Sequence, residues 1–88
     1  MKVVILYRPD SEYARGVEEY FREFERIYPD KKIEKVNVDS KDGAVITELY
    51  DVPSHPALLA LRDDGSALNI WQGENLPLMS EVVGYLNS

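Results

Sequence analysis

Val3, Val4, Ile5, Leu6 and Tyr7 form an unbroken apolar run of β-forming residues. That is the pattern of a strand buried on both faces. Arg8-Pro9-Asp10-Ser11 interrupts it. Asp10 or Ser11 is placed to cap a helix, with Glu12 in its first turn. Tyr13, Ala14, Val17, Tyr20, Phe21, Phe24, Ile27 and Tyr28 then recur at spacings of three and four, the stripe of an amphipathic helix. Arg15–Glu19 and Glu18–Arg22 fall one turn apart on its outer face. Pro29-Asp30 stops it.

The segment from Ile33 to Asp39 reads as a second, more polar strand at or near a sheet edge. Ser40 or Asp42 caps a second helix, from Ala44 to Tyr50, with Val45, Ile46 and Leu49 facing inward. Val52-Pro53-Ser54-His55-Pro56 breaks it, and Ala57 to Leu61 is a third strand, apolar on both faces. Asp63-Asp64-Gly65-Ser66 is a hairpin turn leading to a fourth strand, Leu68 to Trp71, which Gly73 ends. A last helix follows Pro77, with Leu78, Met79, Val82, Val83, Tyr85 and Leu86 apolar. The predicted order is β-α-β-α-β-β-α. Its first two strands run parallel through a right-handed crossover, its last two form an antiparallel hairpin, and helices cover both faces of a four-stranded mixed sheet.

Composition narrows the chemistry. The 88 residues suit one domain, 1–88, with a modest core. No linker, repeat or low-complexity segment divides it. With no cysteine, a disulfide framework, a thiolate metal site and a thiol nucleophile are all excluded. Met1 to Tyr7 is too short for a signal peptide and no apolar run spans a bilayer, so a cytoplasmic protein is expected. The net charge of −6 lies wholly in residues 42–88, where Arg62 alone faces seven acids. Such an acidic half disfavours nucleic acid and anionic membrane and could suit a basic partner, but surface charge kept for solubility is the simpler account. The stretch from Asn37 to Gly43 has the composition of a calcium loop but fails on register. With Gly43 sixth, Val38 and Leu49 would hold the first and twelfth ligand positions. A single histidine without cysteine is a poor metal site, and no phosphate-binding or dinucleotide motif occurs. No cofactor is expected.

Several motifs in order resemble the thioredoxin-fold superfamily, and within it the glutaredoxins. Tyr7-Arg8-Pro9-Asp10-Ser11-Glu12-Tyr13-Ala14 resembles their Tyr-x-Lys-x-x-Cys-Pro-Tyr-Cys, one residue shorter before the basic position. Arg8 falls on the family's Lys, Tyr13 on its Tyr, and Ser11 and Ala14 on the two cysteines. Val52-x-x-x-Pro56 is similar to the family's Val-x-x-x-Pro-Thr, whose proline is cis. Asp64-Gly65 and then Gly73 before a closing helix complete the likeness, which covers nearly the whole chain. The fold so implied is thioredoxin-like, with three helices flanking the sheet, in a glutaredoxin-like domain that has lost its Cys-x-x-Cys.

The resemblance also implies a groove between the start of the first helix and the cis-proline loop, lined by Arg8, Ser11, Tyr13, His55, Pro56, Gly73, Glu74 and Asn75. In the family the residue before that proline offers its backbone to an extended peptide or to glutathione; here it is His55. The family's Gly-Gly and its following acids are altered to Gln72-Gly73-Glu74-Asn75. A Ser11–His55 dyad is conceivable, but no orienting acid or oxyanion arrangement accompanies it, and serine at a helix start is ordinarily a cap. Trp71, Tyr7 and the aromatic stripe of the first helix fit core packing. The expected role is therefore non-catalytic: a redox-inactive module binding a protein or extended peptide in the groove, with Arg8 contributing. A non-redox binder of glutathione or a similar anionic peptide is the alternative, favoured by a helix N-terminus beside Arg8 and opposed by Asp10 and Glu12. A structural subunit dimerising through a sheet edge is a third reading.

Overall fold

The computed structural model describes residues 1–73 and 75–87. The elements follow the expected order: β1 (Lys2–Tyr7), α1 (Ala14–Ile27), β2 (Ile33–Asn37), α2 (Lys41–Tyr50), β3 (Ala57–Leu61), β4 (Ala67–Gln72) and α3 (Met79–Leu86). The sheet order is β2-β1-β3-β4. β1 pairs parallel with β2, and β3 pairs antiparallel with both β1 and β4. The two central strands are the two unbroken apolar runs. Val3 to Tyr7 and all of β3 are buried, because helices cover both faces of the sheet.

Alternation along the strands divides the core in two. Val3, Ile5, Tyr7, Leu58 and Ala60 pack with Val17 and Phe24 of α1 and Val82 of α3. Val4, Leu6, Leu59 and Leu61 face the other way, toward Val52 and the Ile46 and Tyr50 side chains of α2. The Tyr50 hydroxyl donates to the Gly65 carbonyl, tying the end of α2 to the β3–β4 turn.

Local details depart from the sequence reading for identifiable reasons. Neither Asp10 nor Ser11 caps α1. Residues 8–13 coil into turns instead, with Ser11 N–H and Oγ both donating to the Arg8 carbonyl, at 3.1 and 2.6 Å. The helix starts only at Ala14, after an N-cap Tyr13 that makes no side-chain cap bond, so Glu12 lies outside its first turn. At α2 the cap is Ser40, which accepts from Gly43 N–H at 3.0 Å, and the helix begins at Lys41 rather than Ala44. A cap of this kind contributes about 1 kcal/mol. β2 ends at Asn37, because Val38 and Asp39 form the turn into that cap.

The faces of the shorter helices are also corrected. Of the three residues expected inward, Ile46 does pack on the core, with Tyr50 beside it, whereas Val45 and Leu49 are 57% and 69% exposed. Leu78 is the exposed residue before α3, at 76%, and Ile27 at the end of α1 is likewise exposed. The Arg15–Glu19 pair forms at 3.2 Å, whereas Glu18 accepts a hydrogen bond from the Tyr7 hydroxyl at 3.1 Å. Among the described residues no helix is long and apolar enough to cross a membrane.

Candidate functional site

Sheet topology brings four chain segments to one end of the molecule. β1, β2 and β4 all finish there, and antiparallel β3 begins there, with Tyr7 opposite Asn37, Leu6 opposite Ala57, and Ala57 opposite Gln72. The residues just past these ends, Arg8, Asp39, His55-Pro56 and Gly73, are therefore gathered together. Open α/β sheets commonly bind ligands at this kind of edge.

The gathered residues form two groups. In the first, Arg8 grips Asp39 through both guanidinium nitrogens, with Nε–Oδ2 at 2.8 Å and Nη2–Oδ1 at 3.1 Å. The hydrogen bond, and then the charge of Arg8, hold the Asp39 carboxyl below its ordinary range and raise the guanidinium. Asp39 is in turn oriented by its own N–H, which donates to the Asn37 side chain at 2.9 Å. Arg8 is tied at the backbone as well. Its N–H donates to the Tyr13 hydroxyl at 3.2 Å, and its carbonyl accepts the two Ser11 bonds. Ser11 Oγ thus has its proton on a carbonyl oxygen, not on a base, so the conceivable Ser11–His55 dyad is not formed.

His55 lies near this pair, and the peptide bond to Pro56 is cis. Its Nε2 is buried and has no hydrogen-bond partner among the described residues. Burial, and secondarily the positive charge of Arg8, lower the imidazole below its usual value, while Asp39 opposes them. The ring is neutral at pH 7. Because the unfolded chain then holds the proton more tightly, this histidine favours the folded state fully above pH 6.5. That contribution is lost as pH falls from there through the folded-state value. Stability should fall over this interval by at most about 1.4 kcal/mol per pH unit, the limit for one proton. His55→Gln should flatten that limb of a pH series of urea denaturations. The carboxylates held low, Asp39, Glu23 and Asp64, act only at more acidic pH. An unchanged slope just below pH 6.5 in the variant would contradict the assignment.

The second group is an open cleft of about 550 Å³ beside Pro56. Tyr13, Val17 and Tyr20 of the α1 segment form one wall, and Pro56 and Leu76 contribute the rest of its apolar surface. Glu12, Gly16 and Asn75 also line it. The Tyr20 hydroxyl is fixed by donation to the Pro77 carbonyl at 2.8 Å, and burial, with Glu81 nearby, pushes it up to about 12.

Of the eight residues placed in the groove by the sequence reading, Tyr13, Pro56 and Asn75 line this cleft. Arg8 and His55 stand with Asp39 instead, and Ser11 is bonded to the Arg8 carbonyl. Gly73 does neither: with φ +99 its N–H donates to the Pro56 carbonyl at 2.8 Å, prolonging the β3–β4 pairing. Glu74 lies outside the described residues. Asp39 was missed as a site residue, although a signal existed. In a parallel crossover, the residues after the first and second strands arrive side by side. Val17 and Tyr20 were read as core, and Gly16 and Leu76 carried no signal of their own. Among the described residues no group of three or more His, Asp or Glu side chains could hold a metal.

Neither a family model nor a curated protein matches the sequence. Solved structures do match in shape. Mitochondrial thioredoxin 3 of Saccharomyces cerevisiae superposes with a TM-score of 0.68 at 20% identity, over 98% of this chain and 76% of its own. The germline-specific thioredoxin Deadhead of Drosophila melanogaster gives 0.70 at 22%, over 97% and 76%. Thioredoxin 1 of Thermosipho africanus gives 0.65 at 14%, over 99% and 91%. Identities this low speak to architecture alone, and the chain accordingly has the thioredoxin fold, built from a sequence without a single cysteine.

Proposed function

We propose that this protein is a non-catalytic interaction module that receives an extended segment of a partner protein in the groove between the start of α1 and the His55-Pro56 loop. The observation that carries this reading is the state of His55. No described residue hydrogen-bonds its backbone N–H or C=O, although the adjacent Pro56 carbonyl is paired with Gly73. An unpaired backbone unit at the end of a strand is what a partner chain needs to add itself by main-chain hydrogen bonds. The open cleft beside Pro56 offers a place for a side chain of that segment. The chain has no thiol with which to carry out disulfide exchange.

Glutathione or another anionic peptide finds less support. Arg8, the cation such a ligand needs, already makes a two-point ion pair with Asp39, and a ligand carboxylate would have to displace it.

The test is affinity capture from cell extract with the wild type and an Arg8→Ala/His55→Ala variant of equal stability. A partner retained by the wild type and lost by the variant is the expected result. The same partner held by both would move the binding face away from this end of the sheet. Glutathione at millimolar concentration serves as a control. Amide NMR shifts at Arg8, Ser11 and His55 would favour the small-anion reading instead.

A further inference from the structure

We infer that the cleft between α1 and Pro56 takes an apolar side chain flanked by positive charge, so that the partner segment is a basic one carrying an aromatic or aliphatic anchor. The assignment rests on the interaction-module reading above and names the chemistry of its partner. It stands on three observations.

The lining is mixed, and its apolar part is already stiff. Val17 is buried, Tyr20 is held by Pro77, and Pro56 is buried, so an incoming side chain meets surface that loses little freedom on contact. The volume of about 550 Å³ exceeds one aromatic ring and lies within the range of small-ligand sites.

The charge around the cleft is negative. Among its described lining residues Glu12 alone carries a formal charge, and Glu81 lies close enough to Tyr20 to perturb its hydroxyl. Arg8, the basic residue on the neighbouring segment, is matched by Asp39. The start of α1 offsets this field only in part, since a helix N-terminus amounts to about half a positive charge. A second copy of this chain would bring its own excess of acids against the same face, which argues for a basic partner over self-association.

Gly16 leaves the cleft open on the α1 side. A Cβ added there would meet nothing within 4 Å. A side chain at this lining position therefore starts from a Cβ that clashes with nothing, and loss of a glycine in the first turn of α1 favours the helix. Binding and folding can be separated at this residue.

The probes are two synthetic peptides, acetyl-Gly-Lys-Phe-Lys-Gly-amide and its Glu-Phe-Glu counterpart, titrated into the isotope-labelled full chain and followed by amide NMR shifts. The basic peptide should produce saturating shifts at Gly16, Val17 and Leu76, with the acidic one roughly tenfold weaker. Gly16→Leu should abolish the shifts while keeping or raising the melting temperature, and Glu12→Gln should narrow the gap between the peptides. Equal or tighter binding of the acidic peptide at these residues would overturn the charge preference while leaving the groove reading intact. No shift with either peptide at millimolar concentration, or binding undiminished in Gly16→Leu, would overturn the cleft as the anchor site. The groove reading itself is judged separately, by capture with the Arg8 and His55 variant.

Discussion

Replacing Gly43 with alanine should destabilise the protein by about 3 kcal/mol or more, lowering its melting temperature by roughly 15 °C. An added Cβ would lie 2.1 Å from the Asn37 carbonyl oxygen and 2.8 Å from the Val38 Cα, both backbone atoms. Ordinary C···O contacts need about 3.3 Å or more. The obstacle cannot easily retreat. Asn37 is the last residue of β2 and is paired with Tyr7, and its carbonyl accepts from Ser40 N–H at 3.0 Å and Ser40 Oγ at 2.6 Å. Ser40 caps α2 on Gly43 itself. Strand end, cap and first helical turn thus form one hydrogen-bonded corner, and an intruding methyl must push them apart. The helix-propensity gain of about 1 kcal/mol from removing a glycine is too small to compensate. The same corner carries Asp39, so its displacement should also loosen the ion pair to Arg8. Urea denaturation measures the first effect and the amide NMR shifts of Arg8 and Asp39 the second. A variant within about 0.5 kcal/mol of wild type would show that the corner yields.

Phe24→Ala should cost about 3–5 kcal/mol. Phe24 is 1% exposed, packs in the cluster joining α1 to the sheet, and sets its ring 5.2 Å from that of Tyr28, tilted 44° to it. With total stabilities for such domains of about 5–15 kcal/mol, this loss removes a large share of the margin. It also bears on the site, because α1 supplies the Tyr13–Tyr20 wall of the cleft. The natural control is Leu49→Ala on α2. Leu49 is as apolar as any core residue but 69% exposed, so its truncation should stay within about 0.5 kcal/mol. Equal losses in the two variants would mean that α2 packs by a different face.

That contrast shows where sequence patterning stops. The stripe of α1 runs for four turns, and a 3.6-residue period over that length marks its buried face well enough to single out Val17 and Phe24. α2 has ten residues and apolar neighbours at 45, 46 and 49, which allow more than one inward face. Its orientation was decided by the cap at Ser40 and by the close approach of Gly43 to β2, which turn Ile46 and Tyr50 toward the sheet. The start of α1 was misread for a related reason. Asp10 and Ser11 are good caps in isolation, but the backbone turns twice, through Ser11 N–H to the Arg8 carbonyl and Ala14 N–H to the Ser11 carbonyl, before the helix begins.

The order of elements, the two doubly buried strands, the edge position of β2 and the lack of any thiol follow from the sequence, because each rests on local periodicity, turn chemistry or simple composition. The thioredoxin-like architecture was legible on the same grounds together with the spacing of its motifs. The arrangement of the candidate site was not. One groove of eight residues became an Arg8–Asp39 pair beside His55 and a separate cleft beside Tyr13, and that division belongs to tertiary structure alone. Arg8 is committed to a carboxylate 31 residues away, and the cleft exists because α1, the Pro56 loop and the segment before α3 stop short of one another. Contacts between residues distant in the chain depend on strand register and helix placement, which local patterning constrains only loosely.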